Sequence, residues 1–206
     1  MIATLEHVDT LPTKQYAGYP LRPGEPFPFG STLVRSGVNF SIFSRHATSC
    51  TLVLFDRHGR DPIAEIPFPD DFRIGNVWCM VVFGLDHENL KYGYRMDGPY
   101  DPSRGLRFDK TKILMDPYAK IVSGRDVWGT PPDWTDPYPH RAQPASDDFD
   151  WQSDTPLNIP SEDLVIYEMH VRSFTRHPSA RSKYPGTYAS IRDKLPFLKN
   201  LGVNAV

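Results

Sequence analysis

Glu168 and His170 are the residues whose types and spacing best suit acid–base or sugar-binding chemistry. They alternate with apolar residues in the run LVIYEMHV (residues 164–171), so both lie on one face of a predicted strand, near its C-terminal end. There they could contact a polar substrate, or they could pair with each other inside a barrel, where buried polar groups need partners. We favour the internal pair, with Arg172 as a further ion-pair partner for either residue.

Two aromatic residues are candidate sugar-binding groups. Trp78 lies in the run NVWCMVVF (residues 76–83), which predicts a strand buried on both faces. Its indole could stack on the apolar face of a pyranose, but a tryptophan between apolar neighbours more commonly fills a core. Tyr188 ends the loop sequence YPGTY, which in a barrel would lie at the catalytic face, or it opens the following helix.

Metal and redox sites are not indicated. The acidic pairs at residues 70–71 and 147–148 lack an EF-hand pattern and are typical of solvated turns. Cys50 and Cys79 match no metal-ligand spacing, so we expect two reduced core residues. The residues indicate no cofactor, and they leave open a structural calcium ion in a full-length protein.

Composition narrows the class of protein. The 206 residues are 39% hydrophobic and 23% charged, which is ordinary for a globular protein. The net charge of −2 gives no reason to expect a nucleic acid or an anionic membrane as partner. No segment has the length and apolarity of a membrane span, and no secretory signal begins the chain, so we expect a cytoplasmic protein. Nothing in the composition sets the oligomeric state.

The first half of the chain is typical of an all-β domain. Val38, Phe40 and Ile42 alternate with Asn39 and Ser41, as a strand with one buried face requires. The 21 prolines restrict the chain to short strands, turns and extended loops. Short strands at this spacing predict a mainly β fold, an immunoglobulin-like β-sandwich. The strand-like runs fall at residues 38–42, 51–55, 76–83, 91–96, 113–115 and 119–122.

After the sandwich we expect a packed linker and then a different fold. Trp128, Trp134 and Trp151 lie in a stretch rich in proline and aspartate, where they could be sugar platforms but more simply anchor the linker. The expected divisions are a flexible leader at 1–15, the sandwich at 16–122, the linker at 123–163, and the start of a truncated (β/α)8 TIM barrel at 164–206.

The barrel start is predicted from a strand at 164–171 and an apolar helical stripe in residues 190–201. Pro196 would break a continuous helix, so we expect two short helices with Pro196 in the first turn of the second. Gly202 then suits a helix C-cap. A single βα unit leaves its strand without neighbours, so we expect the chain to be part of a longer protein.

Several motifs together resemble the N-terminal region of isoamylase-type glycogen debranching enzymes, in the α-amylase superfamily. The resemblance runs from about residue 16 to residue 206. Its sandwich motifs are GVNFSIFS (37–44), YGYRMDGPYDP (92–102), GLRFD (105–109) and DPYAK (116–120). Its barrel motifs are VIYEMHVRSFT (165–175), PGTY (185–188), KLPFLK (194–199) and LGVNAV (201–206).

The resemblance implies a retaining hydrolase of α-1,6 branch linkages in glycogen or amylopectin, with one carboxylate as nucleophile and a second as acid. In that family these groups follow strands four and five, and a signature with Asn-His follows strand three. The sequence holds no Asn-His dipeptide, so the catalytic residues are expected beyond Val206 and none is assigned here. The chain alone is expected to be inactive.

Two other functions remain open at this point. One is a sister enzyme of similar architecture: branching enzyme, pullulanase or maltooligosyl-trehalose hydrolase. The other is a glycan-binding module without catalysis. The chain also departs from the family pattern, with Cys79 where a His is common and with residues 86–90 in place of a Pro-Gly turn. Both departures weaken the case that the sandwich binds glycan independently.

Overall fold

The computed structural model describes residues 11–124, 131, 135–146 and 149–206. The chain divides into two compact units, Met1–Phe149 (the sandwich unit) and Asp150–Val206 (the C-terminal unit). The predicted linker residues Trp128 and Trp134, the acidic pair at 147–148 and most of the predicted leader lie outside the described residues. In the part of the chain that the structure describes, no helix has the length and apolarity needed to cross a bilayer.

The sandwich unit contains two main antiparallel sheets and a short hairpin. The first sheet has the order β1-β2-β8-β4-β3, with β7 added beside β8. Its strands are β1 (Lys14–Tyr16), β2 (Tyr19–Pro23), β3 (Gly30–Val34), β4 (Gly37–Phe43), β7 (Arg73–Ile74) and β8 (Val77–Phe83). The second sheet has the order β12-β13-β9-β5-β6. Its strands are β5 (Ser49–Asp56), β6 (Pro62–Pro67), β9 (Leu90–Asp97), β12 (Ile121–Ser123) and β13 (Arg141–Gln143), and the hairpin is β10 (Tyr100–Asp101) with β11 (Leu106–Arg107).

The core lies between the inward faces of the two sheets. Val38, Phe40 and Ile42 of β4 are buried, which confirms the predicted alternation. All seven residues of β8 are buried, as predicted for a strand covered on both faces. Cys50 and Cys79 are buried and free. The mainly β sandwich is therefore confirmed.

The sandwich extends further than residues 16–122. The chain forms β1 from Lys14, and β13 lies within the predicted linker, where Ala142 pairs with Tyr92 of β9. The side chain of Arg141 explains the added strand, because its guanidinium donates to the carbonyl oxygens of Gly59 and Arg60 at 2.9 Å each.

A segment of residues 24–29 crosses the outward face of β4. Asn39 Oδ1 accepts a hydrogen bond from Glu25 N at 2.9 Å, and Asn39 Nδ2 donates to Glu25 O at 3.0 Å. Ser41 Oγ donates to Pro26 O at 2.7 Å. Because this segment covers them, Asn39 and Ser41 are only 2% and 0% exposed, whereas period-two alternation alone would place them in solvent.

The C-terminal unit contains three short α-helices. They lie between two extended stretches that pair in parallel. An isolated parallel bridge joins Ile166 and Ala205, and Tyr167 N donates to Ala205 O at 2.9 Å. The predicted strand at 164–171 is not formed: Ile166 alone makes a β-bridge there, and Val171 already begins a helix. With Ala205 as its one bridge partner in the described residues, this stretch lacks the neighbouring strands that would extend the pairing. The helices are α1 (Val171–Arg176), α2 (Tyr188–Arg192) and α3 (Leu195–Asn200).

The break in the second helical stretch lies where the sequence predicts it. Pro196 lies in the first turn of α3, where its missing N–H is not needed. Gly202 has a φ of +80° and donates its N–H to Lys199 O at 3.0 Å, as a glycine C-cap does.

Candidate functional site

The predicted polar residues of the C-terminal unit follow its parallel bridge. Two of them precede the first helix and one begins the second. Glu168 and His170 follow the bridge at Ile166, and both are exposed. His170 caps α1: its Nδ1 accepts a hydrogen bond from Arg172 N at 3.2 Å. Tyr188 is the first residue of α2 and is 79% exposed.

A buried hydrogen-bond network holds the loop that carries Tyr188. Thr175 of α1 and Ser190 of α2 join through their hydroxyl oxygens at 2.5 Å, and both residues are buried. Gly186 N donates to Thr175 Oγ1 at 2.8 Å, and Thr187 with Ser190 forms a capping box at the start of α2. These hydrogen bonds tie the loop to α1 and α2, and they leave Tyr188 exposed at the start of α2.

The structure does not show the internal pair that we favoured from the sequence. Within the described residues, no hydrogen bond joins Glu168 to His170, because the His170 ring turns back to cap α1. A retaining glycosidase needs two carboxyl groups facing each other across the scissile bond. The three candidates supply one carboxylate, one imidazole and one phenol, which are not such a pair of carboxyl groups.

Trp78 lies in the core of the sandwich. Its side chain is 1% exposed, and it belongs to the buried cluster between the sheets. The Arg73 guanidinium lies 4.8 Å from its ring centroid. Trp78 therefore offers no free face to a sugar. It belongs to the sandwich unit, whereas the three polar candidates belong to the C-terminal unit.

A buried polar cluster around Asp116 was missed by the sequence analysis. Asp116 is 0% exposed; its Oδ2 accepts from Tyr92 Oη at 2.8 Å and from Tyr94 Oη at 3.4 Å, and its Oδ1 accepts from Tyr118 N at 2.8 Å. The only signal was the Asp-Pro pair of the DPYAK motif, which is typical of a turn.

Burial shifts the ionisation of this cluster. Desolvation raises the pKa of the Asp116 carboxyl, against the lowering effect of its hydrogen bonds. Desolvation and the nearby Asp116 charge raise the pKa of both Tyr92 and Tyr94. Perturbed pKa values often mark active sites, but these groups are buried under other residues, so the cluster is structural. It fixes the segment that leads to Tyr118.

No cluster of three or more His, Cys, Asp or Glu side chains suited to a metal ion occurs in the described residues. None of the candidate residues therefore groups into a metal site.

The sandwich matches a known family. Residues 28–119 match carbohydrate-binding module 48, the isoamylase N-terminal domain. The matched residues run from β3 to β11 of the sandwich unit, so this part of the chain is similar to carbohydrate-binding module 48. Solved structures of other proteins share the fold of this chain. A pneumococcal multi-modular glycogen-degrading virulence factor, solved as a product complex, aligns over 88% of this chain and 19% of its own, with a TM-score of 0.65 and 21% identity.

The similarity to curated relatives extends beyond residues 28–119. Isoamylase 1 of Oryza sativa subsp. japonica is 44% identical over 191 residues, which are 89% of this chain and 24% of the relative. The glycogen debranching enzyme of Cronobacter sakazakii is 38% identical over 199 residues, or 90% of this chain and 29% of that enzyme. The chain thus spans 24% to 29% of the length of these relatives.

Proposed function

We propose that the chain is the accessory domain and barrel start of a hydrolase that cleaves α-1,6 branch linkages in glycogen or amylopectin. One observation carries the proposal: the 44% identity to a plant isoamylase extends over 89% of the chain, whereas the module 48 match ends at residue 119. The similarity therefore includes the C-terminal unit, which a free-standing glycan-binding module would not need.

The parallel pairing in the C-terminal unit supports the barrel start. Parallel strands need a crossover connection, and here three helices lie between Ile166 and its bridge partner Ala205. In a (β/α)8 barrel the active site forms at the C-terminal ends of the strands. Glu168, His170 and Tyr188 follow the first strand, so we propose that they line the wall of the substrate pocket.

We propose that residues outside this chain carry out the hydrolysis. The candidate residues of this chain do not supply the two carboxylates of a retaining mechanism, so we expect the 206-residue chain to leave glucan uncleaved. We expect it to bind glucan all the same, because the match to a carbohydrate-binding module lies within it. We propose a branched α-glucan as the partner and the cytoplasm as the compartment.

Glycogen tests the binding and the lack of catalysis in one sample. The purified chain is incubated with glycogen, sedimented, and the supernatant assayed for reducing ends. We expect the chain in the pellet and no release of reducing ends above a blank. Reducing ends that rise with protein concentration would contradict the assignment of the catalytic residues elsewhere, and a chain that stays in the supernatant would contradict glucan binding.

A further inference from the structure

A groove runs over the outward face of the first sheet. It has a volume of about 430 Å³, within the range of roughly 300–1,000 Å³ found for small-molecule sites. Residues from β3, β4 and β8 form its floor and the crossing segment 24–29 forms one wall. Its lining side chains are Arg22, Glu25, Phe27, Pro28, Thr32, Val34, Arg35, Asn39, Val81 and Phe83.

The crossing segment is held firmly enough to form a wall. Gly24 lies so close to β4 and β8 that an added Cβ would be 2.2 Å from Asn39 Oδ1 and 2.6 Å from Met80 N. The paired hydrogen bonds between Asn39 and the Glu25 backbone fix the next residue. The groove is therefore preformed, which lowers the entropy cost of binding.

An exposed aromatic cluster continues from this wall. The Phe29 ring lies 4.7 Å from that of Phe27, 4.7 Å from that of Tyr118 and 6.4 Å from that of Phe43, between centroids. Phe27 is 63% exposed, Phe43 43% and Tyr118 41%. Buried Asp116 positions Tyr118 through its backbone N–H. Large aromatic side chains grouped in this way mark a binding surface.

Free polar groups lie at the same groove. Within the described residues, the Glu25 carboxylate and the Arg35 guanidinium make no hydrogen bond or ion pair, and both residues are exposed. A carboxylate accepts and a guanidinium donates several hydrogen bonds in a plane. Apolar rings beside planar polar groups match a pyranose, which has C–H-rich faces and a rim of hydroxyl groups.

We propose that this groove and aromatic cluster bind a linear α-1,4-linked glucan segment, with Phe27 as the main stacking residue and Arg35 bonding sugar hydroxyls. The inference rests on the proposed function, because the module 48 match is what favours a glucan over other sugars. A concave surface with apolar rings and a few polar groups is typical of small-molecule sites, which favours a sugar chain as the occupant.

Titration with maltoheptaose tests the site. The probe is added to the 206-residue chain, with binding followed by calorimetry, and the variants are Phe27→Ala, Arg35→Ala and Tyr100→Ala. Tyr100 is the matched control, since it is 71% exposed on the β10–β11 hairpin. We expect about tenfold weaker binding for Phe27→Ala, about threefold for Arg35→Ala, and less than about twofold change for Tyr100→Ala. Thermal unfolding confirms that each variant folds.

The outcomes separate the site from the proposed function. If the unaltered chain binds maltoheptaose and both groove variants bind equally well, the groove is not the site although glucan binding stands. If the unaltered chain shows no heat of binding and does not sediment with glycogen, both proposals fail. Equal binding of cellohexaose would overturn the choice of an α-linked glucan, and a matching loss in Tyr100→Ala would overturn the role given to Phe27.

Discussion

The two units of the chain differ in how they bury their apolar residues. The sandwich unit encloses a continuous cluster that includes Trp78, Tyr92 and Tyr94. The buried hydrophobic side chains of the described C-terminal unit are Ile191 and Leu198. Its exposed large apolar side chains include Trp151, Leu157, Val165, Ile166, Phe197 and Leu201.

This difference in buried apolar surface indicates that the sandwich unit is stabilised mainly by its own contacts. Burial of apolar surface is the main favourable term in folding, and the sandwich unit has it on both inner faces. The C-terminal unit relies on short helices, one parallel bridge and the Thr175–Ser190 network. We therefore treat the sandwich unit as the rigid binding part and the C-terminal unit as the part with lower local stability.

The largest expected contrast is in proteolysis. Local opening should expose the C-terminal unit far more often, so trypsin should cut at Arg176 or Lys183 about a hundredfold faster than within the sheets. Limited digestion followed by mass spectrometry measures this. Accumulation of an intact sandwich fragment is expected, and equal survival of both units would contradict the difference in stability.

A core substitution should lower the stability of the sandwich. Trp78→Ala empties a large buried site, and we expect the free energy of unfolding to fall by about 3–5 kcal/mol. Urea unfolding followed by circular dichroism gives the value. Trp151→Ala is the matched control, because Trp151 is 67% exposed and should change stability by less than about 0.5 kcal/mol. A Trp78→Ala protein of normal stability that no longer sediments with glycogen would contradict the core assignment.

A smaller loss is expected at the buried carboxylate. Asp116→Ala leaves the hydroxyl of Tyr92 and the N–H of Tyr118 without their acceptor, so we expect about 2–3 kcal/mol of destabilisation. Asp61→Ala, at an exposed aspartate, is the control for loss of one negative charge. If the two variants unfold at the same urea concentration, the hydrogen bonds of Asp116 do not stabilise the fold.

The pH dependence is the smallest of these effects. Because desolvation raises the pKa of folded Asp116, the folded protein holds more protons than the unfolded chain from about pH 4 up to that raised pKa. Asp116 therefore makes the free energy of unfolding fall as pH rises through this window. Asp116→Asn cannot titrate, so its stability relative to the unaltered chain should rise across the same window. Parallel pH curves for the two proteins would show that the Asp116 pKa is not raised.

The sequence predicted the sandwich better than the surface that it presents. The alternation at Val38, Phe40 and Ile42 and the apolar run of β8 follow from period two and burial, which are local properties. The burial of Asn39 and Ser41 depends on a crossing segment about 14 residues earlier in the chain. No local pattern contains that contact.

The candidate sites show the same limit. The sequence predicted Glu168 and His170 on one face near the end of a strand. In the structure, the direction of the His170 ring is set by its capping of α1. The groove beside Phe27 escaped prediction because it forms between the segment 24–29 and strands distant in the chain. Gly24 and the prolines around it were the one available signal of a fixed, extended segment.

Hydrogen exchange with and without maltoheptaose tests the central claim most directly: that the sandwich unit binds glucan through the surface beside Phe27. It reads both units of the same chain in one experiment. We predict slower exchange in peptides covering residues 24–35 when the sugar is present, with no change in peptides covering residues 164–206. Slower exchange confined to residues 164–206, or no change in either unit, would contradict the account.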